Sequence, residues 1–229
     1  MDLSKVFNIV SGMSSIQRFS MVKLTYPESV LEHTGMVGFM CYLIGNELNY
    51  KHKDLYPDED TPLINMGVLL SRTMVHDIDE LITGDIPRPT KYFSDEARKT
   101  FETVEKAGIA KLAAELISCE HAQEYLINDH ANAKEGPEGT IVAISDMLAV
   151  VYKVWEEVLL RSNHTMIRQA NQVYEYLQGL YVKINEAFDD PQVRHFLYSI
   201  VDNAKYIAKA AADSERNIYG TIRQELSHK

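Results

Sequence analysis

The stretch Met74 to Tyr92 reads MVHDIDELITGDIPRPTKY. An apolar lead-in runs into an adjacent His76-Asp77 pair. Glu80 follows, and then a Gly84-Asp85-Ile86-Pro87 turn closed by Pro89. On a helix, residues 76 and 80 stand four apart and 77 and 80 three apart, so all three side chains converge on one place. A neutral imidazole nitrogen beside a carboxylate oxygen offers donors for a divalent cation. Two donors do not hold a catalytic ion. Partners are therefore expected among the histidines and acids that interrupt apolar faces on other helices.

Outward from this stretch, hydrophobic periodicity is helical throughout. Pro62 to Leu81 is apolar on most sides through GVLLSRTMV and predicts a buried central helix that carries the His-Asp pair. Upstream, Leu3 to Met13 and Pro27 to Asn49 predict helices, the second opening on Pro-Glu-Ser. Lys51 to Thr61 is charged, holds Pro57 and reads as a loop. Downstream, Gly84 to Phe93 is an ordered turn, and Ser94 caps a helix through about Cys119. His121 to Ala133 is a short polar helix and Lys134 to Gly139 a loop. Thr140 to Leu160, Thr165 to Phe188 and Pro191 to Ile218 complete the set. Strand ladders with Asn-Gly turns are missing. The expectation is an all-α fold, a single domain over residues 1–229 with roughly eight helices. Its motif-bearing core covers residues 18–160, and the helices of 165–218 either pack on that core or form an oligomer surface.

Composition narrows the function. The chain has 229 residues, 45% hydrophobic and 24% charged, which is enough for a full core. A formal charge of −10 disfavours duplex nucleic acid as the main partner. A small anionic substrate stays open where a metal or an Arg/Lys cluster reverses the local field. Two cysteines, Cys41 and Cys119, make no disulfide framework. The N-terminal apolar run is short for a signal peptide, and none of the apolar runs approaches the roughly 18 residues of a membrane span. These features predict a cytoplasmic protein with no membrane partner.

Two residues answer the search for further donors. His33 stands in SVLEHTGMVGFM, where a helix turns apolar; the structural alternative is a satisfied core histidine. Asp146 stands in TIVAISDMLAVVY, with no other charge from Thr140 to Tyr152. A lone buried carboxylate is costly unless paired, hydrogen-bonded or bound to metal; its alternative is a local pairing. His121 is a weaker candidate. His52, His130, His164, His195 and His228 sit in polar surroundings and are expected exposed.

The ordered set His33, His76-Asp77, Asp146 resembles the H…HD…D signature of the HD-domain metal-dependent phosphohydrolases. Arg18-Phe19, then Ser29-Val30-Leu31-Glu32-His33, then HDxxELxTGDxPxPxKY over residues 76–92 is similar to the bacterial 5'-deoxynucleotidase, YfbR-like, branch. It also resembles the related phage dATP triphosphohydrolases. The matched segments span residues 18 to 146. The resemblance implies that His33, His76, Asp77 and Asp146 bind one divalent ion, Mn2+, Co2+, Mg2+, Zn2+ or Fe2+. It implies Glu80 as the catalytic acid or base, with an exposed salt-bridge residue as the alternative. It further implies Arg18, Phe19, Asp85 and Lys91 as substrate-binding residues. Arg18 would clamp phosphate through its guanidinium fork, Asp85 would contact the sugar, and Lys91 would meet phosphate. The branch carries Trp where this chain has Phe19, a smaller ring with no indole donor. The implied activity is hydrolysis of deoxynucleoside 5'-monophosphates to nucleoside and phosphate. Release of triphosphate from a dNTP is the alternative, and a non-catalytic nucleotide-binding HD module the further one. The implied assembly is a homodimer or larger homo-oligomer.

Overall fold

The computed structural model describes residues 2–227 of the chain, with side chains described through residue 214. His228 lies outside the described residues. Among them the chain is helical, with one isolated antiparallel bridge between Gln17 and Ser29 and no sheet. The all-α expectation holds.

The chain forms two compact units. The first comprises residues 1–20 and 27–142 and the second residues 21–26 and 143–229. In the first unit, α1 (Leu3–Ser15) starts on Asp2, whose carboxylate accepts from the Ser4 amide. Helix α2 (Val30–Leu55) starts on a complete capping box: the Ser29 hydroxyl accepts from the Glu32 amide, and the Glu32 carboxylate accepts from the Ser29 amide. Its buried stripe, Val30, His33, Val37, Cys41, Ile44 and Leu48, recurs every three to four residues. The helix starts three residues later than the sequence predicts, because Ser29 rather than Pro27 caps it. It also runs through Lys51 to Leu55, into the segment read as a loop.

Helix α3 (Met66–Val75) is shorter at both ends than the expected 62–81. The Asn65 side chain accepts from the Gly67 and Val68 amides and fixes the start. At the other end the Thr73 carbonyl, which a continuing helix would give to the residue 77 amide, faces His76 Nδ1 at 2.7 Å. Residues 76–79 form a turn held by Ile78 N–H to Val75 O and Glu80 N–H to Asp77 O, each 3.2 Å. Two single-turn helices follow, α4 (Glu80–Thr83) and α5 (Arg88–Lys91), separated by Gly84 at φ +71°, which favours glycine. The His-Asp pair thus sits at a helix end and not inside a helix. Helices α6 (Asp95–Leu116) and α7 (Glu120–Ala131) complete this part. Gly108 on α6 touches α4 closely: a Cβ there would stand 2.3 Å from Ile82 Cδ1.

Helix α8 (Gly136–Val154) begins inside the expected loop and belongs to the first unit up to Val142 and to the second from Ala143. In the second unit it continues as a π-helical turn, Trp155–Leu160, and a 3-10 turn, His164–Met166. Glu157 is fully buried and accepts from the amides of Thr25 and Tyr26 and from Asn163 Nδ2. Helices α9 (Ile167–Ala187) and α10 (Pro191–Ser227) pack against each other. Their buried stripes are Val173, Leu177, Leu180 and Ile184 against Val193, Leu197, Val201 and Ala204.

Candidate active site

The site grows from the three places where the first unit brings α2, the end of α3 and the segment before α2 together. Arg18 N–H donates to Glu28 O at 2.8 Å and Val30 N–H to Ile16 O at 3.0 Å, so Arg18 is strapped beside the start of α2. One turn into α2, His33 is fully buried. His33 Nε2 lies 3.4 Å from Asp77 Oδ2, and His76 Nε2 lies 3.2 Å from the same oxygen. One donor atom from each of His33, His76 and Asp77 falls within 4.8 Å of the others.

These residues fit a metal ion. His76 Nδ1 faces the Thr73 carbonyl, which fixes the tautomer with its proton on Nδ1 and leaves the Nε2 lone pair free. That Nε2 is buried and has no hydrogen-bond partner. A buried imidazole lone pair facing a carboxylate oxygen at 3.2 Å is costly, and a cation held by the pair and Asp77 would satisfy both. His33 Nδ1 stands 3.5 Å from Glu28 Oε1, the carboxylate-histidine arrangement that orients ligating imidazoles. The Asp77 carboxyl is held well below the usual carboxylate range. Burial opposes this, but the adjacent His76 and the Arg18 and Lys134 charges outweigh it.

Arg18 is a hub. Its Nη1 donates to Asp77 Oδ2 at 2.9 Å and lies 3.8 Å from Glu80 Oε1, and its Nε lies 3.4 Å from Glu28 Oε1. Glu80 opens α4 with Oε2 buried and without a hydrogen bond. Burial pushes its carboxyl up to about 9, Asp77, Asp85 and Asp79 add to the shift, and Arg18 opposes it. A carboxylic acid that keeps its proton at neutral pH suits proton transfer.

Other expected residues take definite places. Phe19 has φ +56°, and its amide donates to Asp85 Oδ2 at 2.8 Å, so the Asp85 carboxylate clasps the backbone that follows Arg18. Lys91 Nζ pairs with Glu105 on α6 at 2.7 Å. That pairing raises the ammonium pKa against the effect of burial. Asp146 lies on α8 in the second unit, buried at 7% exposure. Three contributors escaped the sequence reading. Glu28 reads as a helix-start acid after Pro27, although it is buried against Arg18 and His33. Asp79 reads as the variable position of the motif, yet it is buried. Its partner is His130, which is half-buried rather than exposed, with Nε2 3.0 Å from Asp79 Oδ1. His52 and His164 are likewise half-buried.

A family model described as 5'-deoxynucleotidase YfbR-like matches residues 5–204. The chain belongs to the YfbR-like 5'-deoxynucleotidase family. Among its relatives, a 5'-deoxynucleotidase of Photobacterium profundum is 26% identical over 205 residues, covering 89% of this chain and 95% of that protein. One from Vibrio parahaemolyticus is 29% identical over 163 residues, covering 70% and 78%. A solved HD-domain phosphohydrolase of Listeria innocua aligns over 99% of this chain and 90% of its own, with TM-score 0.57 and 20% identity. A conserved hypothetical protein of Pyrococcus furiosus aligns over 90% and 99%, with TM-score 0.62 and 20% identity. These two show a shared fold. The protein is therefore a hydrolytic enzyme of the YfbR-like family with an HD-type helical fold. His33, His76 and Asp77 are the cluster that fits a divalent metal. Among the described residues, none of the helices is long and apolar enough to cross a membrane.

Proposed function

We propose that this YfbR-like protein hydrolyses deoxynucleoside 5'-monophosphates to deoxynucleoside and phosphate, and that both compact units work as one HD domain over residues 1–229. The observation that carries the reading is the buried His76 Nε2 without a hydrogen bond, set beside His33 and Asp77, with the buried Glu80 Oε2 nearby. Asp146 completes the ligand set; its support is a buried carboxylate on the apolar face of α8. Bound to these four residues, a divalent ion supplies Lewis-acid polarisation of the phosphoryl oxygen and acidifies bound water. Two imidazoles in the set favour Mn2+, Co2+, Fe2+ or Zn2+ over Mg2+, which prefers oxygen and water.

The chain's own residues do the rest. Arg18 presents its guanidinium to the phosphate and offsets the charge of Asp77. Glu80 handles the proton, either orienting the attacking water or protonating the departing 5' oxygen. The Asp85 carboxylate accepts from the Phe19 amide, residue 19 being left-handed, and in this reading Asp85 and the Phe19 ring meet the deoxyribose. Lys91 and Arg98 are paired with Glu105 and Glu102, leaving less free positive charge for a triphosphate tail. This favours the monophosphate over the dNTP triphosphohydrolase reading. The retained Glu80 argues against a non-catalytic binding module. The homodimer implied by the family resemblance is part of the proposal, and sedimentation velocity tests it.

Phosphorus NMR of products from dNMPs, NMPs and dNTPs with Mn2+, Co2+ and Mg2+ tests the reaction. Orthophosphate from dNMPs is expected. Inorganic triphosphate from dNTPs establishes the second reading, and no product with any substrate removes the catalytic one. For the ligand set, Asp146→Asn is expected to lower bound Mn2+ at equilibrium dialysis at least tenfold in affinity. Unchanged binding removes Asp146 from the set.

A further inference from the structure

The turn of residues 76–79 carries two proposed metal ligands and delivers Glu80. Backbone bonds of Ile78 N–H to Val75 O, Glu80 N–H to Asp77 O and Leu81 N–H to Ile78 O, each 3.2 Å, tie it to α3 and α4. His76 is anchored by the Thr73 carbonyl. Asp79 occupies the N-cap position of α4, but its side chain makes no cap bond there. It turns instead to α7, where Oδ1 meets His130 Nε2 at 3.0 Å. Both side chains are largely buried, at 11% and 16% exposure. A carboxylate only accepts, so the ring nitrogen donates. The α7 end of this tether is itself fixed to α3: Ser71 Oγ donates to Asp129 Oδ2, next to His130 in sequence, and Arg72 Nη1 donates to the Glu135 carbonyl at 2.8 Å. The Asp79 carbonyl accepts from the Ile82 and Thr83 amides, so the same residue organises α4 from its start.

From this geometry we infer that Asp79 and His130 are positioning residues. Their hydrogen bond struts the 76–79 turn against α7 and fixes the direction in which Glu80 faces Asp77 and Arg18. The inference rests on the proposed role of Glu80. Neither residue touches substrate or the reacting atoms. His33 and His76 keep their own anchors, Glu28 and Thr73. Loss of the strut therefore disturbs the proton-handling group more than metal retention.

The test compares the full-length protein with Asp79→Ala, His130→Ala, His130→Gln and the double variant Asp79→Ala/His130→Ala. Gln places an amide Nε2 donor about where the imidazole Nε2 was. H130A is expected to lower kcat on a dNMP by about tenfold or more, with KM and Mn2+ affinity within about twofold. H130Q is expected to recover most of the loss, and the double variant to lose less than the product of the two single losses. Hydrogen exchange of peptides covering residues 76–83 supplies a readout free of turnover. Protection is expected to fall in H130A and return in H130Q. If wild-type protein hydrolyses no dNMP, the functional reading fails and the exchange data alone judge the strut. Wild-type exchange in H130A, or an H130Q that behaves as H130A, overturns the strut whatever the activity.

Discussion

At the scale of single residues, the site is a competition between burial and charge. His76 and Asp77 are neighbours in sequence with opposite demands, since the imidazole must stay neutral to ligate and the carboxyl must stay ionised. The Thr73 carbonyl accepts from His76 Nδ1 and turns Nε2 toward Asp77, and Arg18 helps keep the Asp77 carboxyl ionised. Removing either proposed ligand as His76→Ala or Asp77→Ala is expected to abolish both Mn2+ retention and hydrolysis, read by metal analysis and orthophosphate release. Glu80→Gln is expected to keep the metal and lose turnover by about 10²–10⁴-fold; unchanged kcat would remove Glu80 from the chemistry. The raised Glu80 carboxyl also has a stability signature in metal-stripped protein. An unfolded glutamate titrates near the ordinary 4.5, while the folded one holds its proton to about 9. Between these values the native state binds more protons than the unfolded state, so stability falls as pH rises. Glu80→Gln is expected to remove that slope. Thermal melts of both stripped proteins from pH 5 to 8 should diverge as pH rises, with the variant the more stable; parallel melts would contradict the assignment.

At the scale of elements, the capping residues decide where side chains point. Ser29 sets the phase of α2 and therefore that of His33 four residues later. Ser29→Ala is expected to destabilise the protein by about 1 kcal/mol in urea unfolding, through loss of the N-cap. A change below a few tenths would mean that tertiary packing alone holds the helix start. The helical class was legible because apolar residues recur at helical spacing on nearly every segment, and His33, His76 and Asp77 were legible because polar donors interrupt apolar runs. Boundaries were less so. Continuous hydrophobicity through GVLLSRTMV conceals the break after Val75, which arises from a side chain, His76, taking a backbone acceptor. Convergence of His76, Asp77 and Glu80 was read from helical spacing, yet a turn followed by a new short helix brings them near Arg18. Glu28 and the Asp79–His130 pair were illegible because their significance lies in a partner distant in the chain. Polar neighbours in sequence say nothing about an imidazole buried from one side.

At the scale of the molecule, a chain of charge −10 needs a local reversal of its field to take the anionic substrate proposed for it. Arg18 faces the carboxyl groups of Glu28, Asp77 and Glu80 at the site, and the proposed cation would tip that balance toward phosphate. Chelation is accordingly expected to abolish hydrolysis, and Mn2+ or Co2+ to restore it. In the proposed function, a metal held around His33, His76 and Asp77, with Glu80 beside it, promotes cleavage of the phosphate of deoxynucleoside monophosphates. Initial-rate orthophosphate release from dAMP tests it most directly, measured side by side for metal-stripped protein, Mn2+-reloaded protein and reloaded Glu80→Gln. The predicted result is release by the reloaded wild-type protein alone. Equal release by stripped and reloaded protein, or by the Glu80→Gln variant, would contradict it.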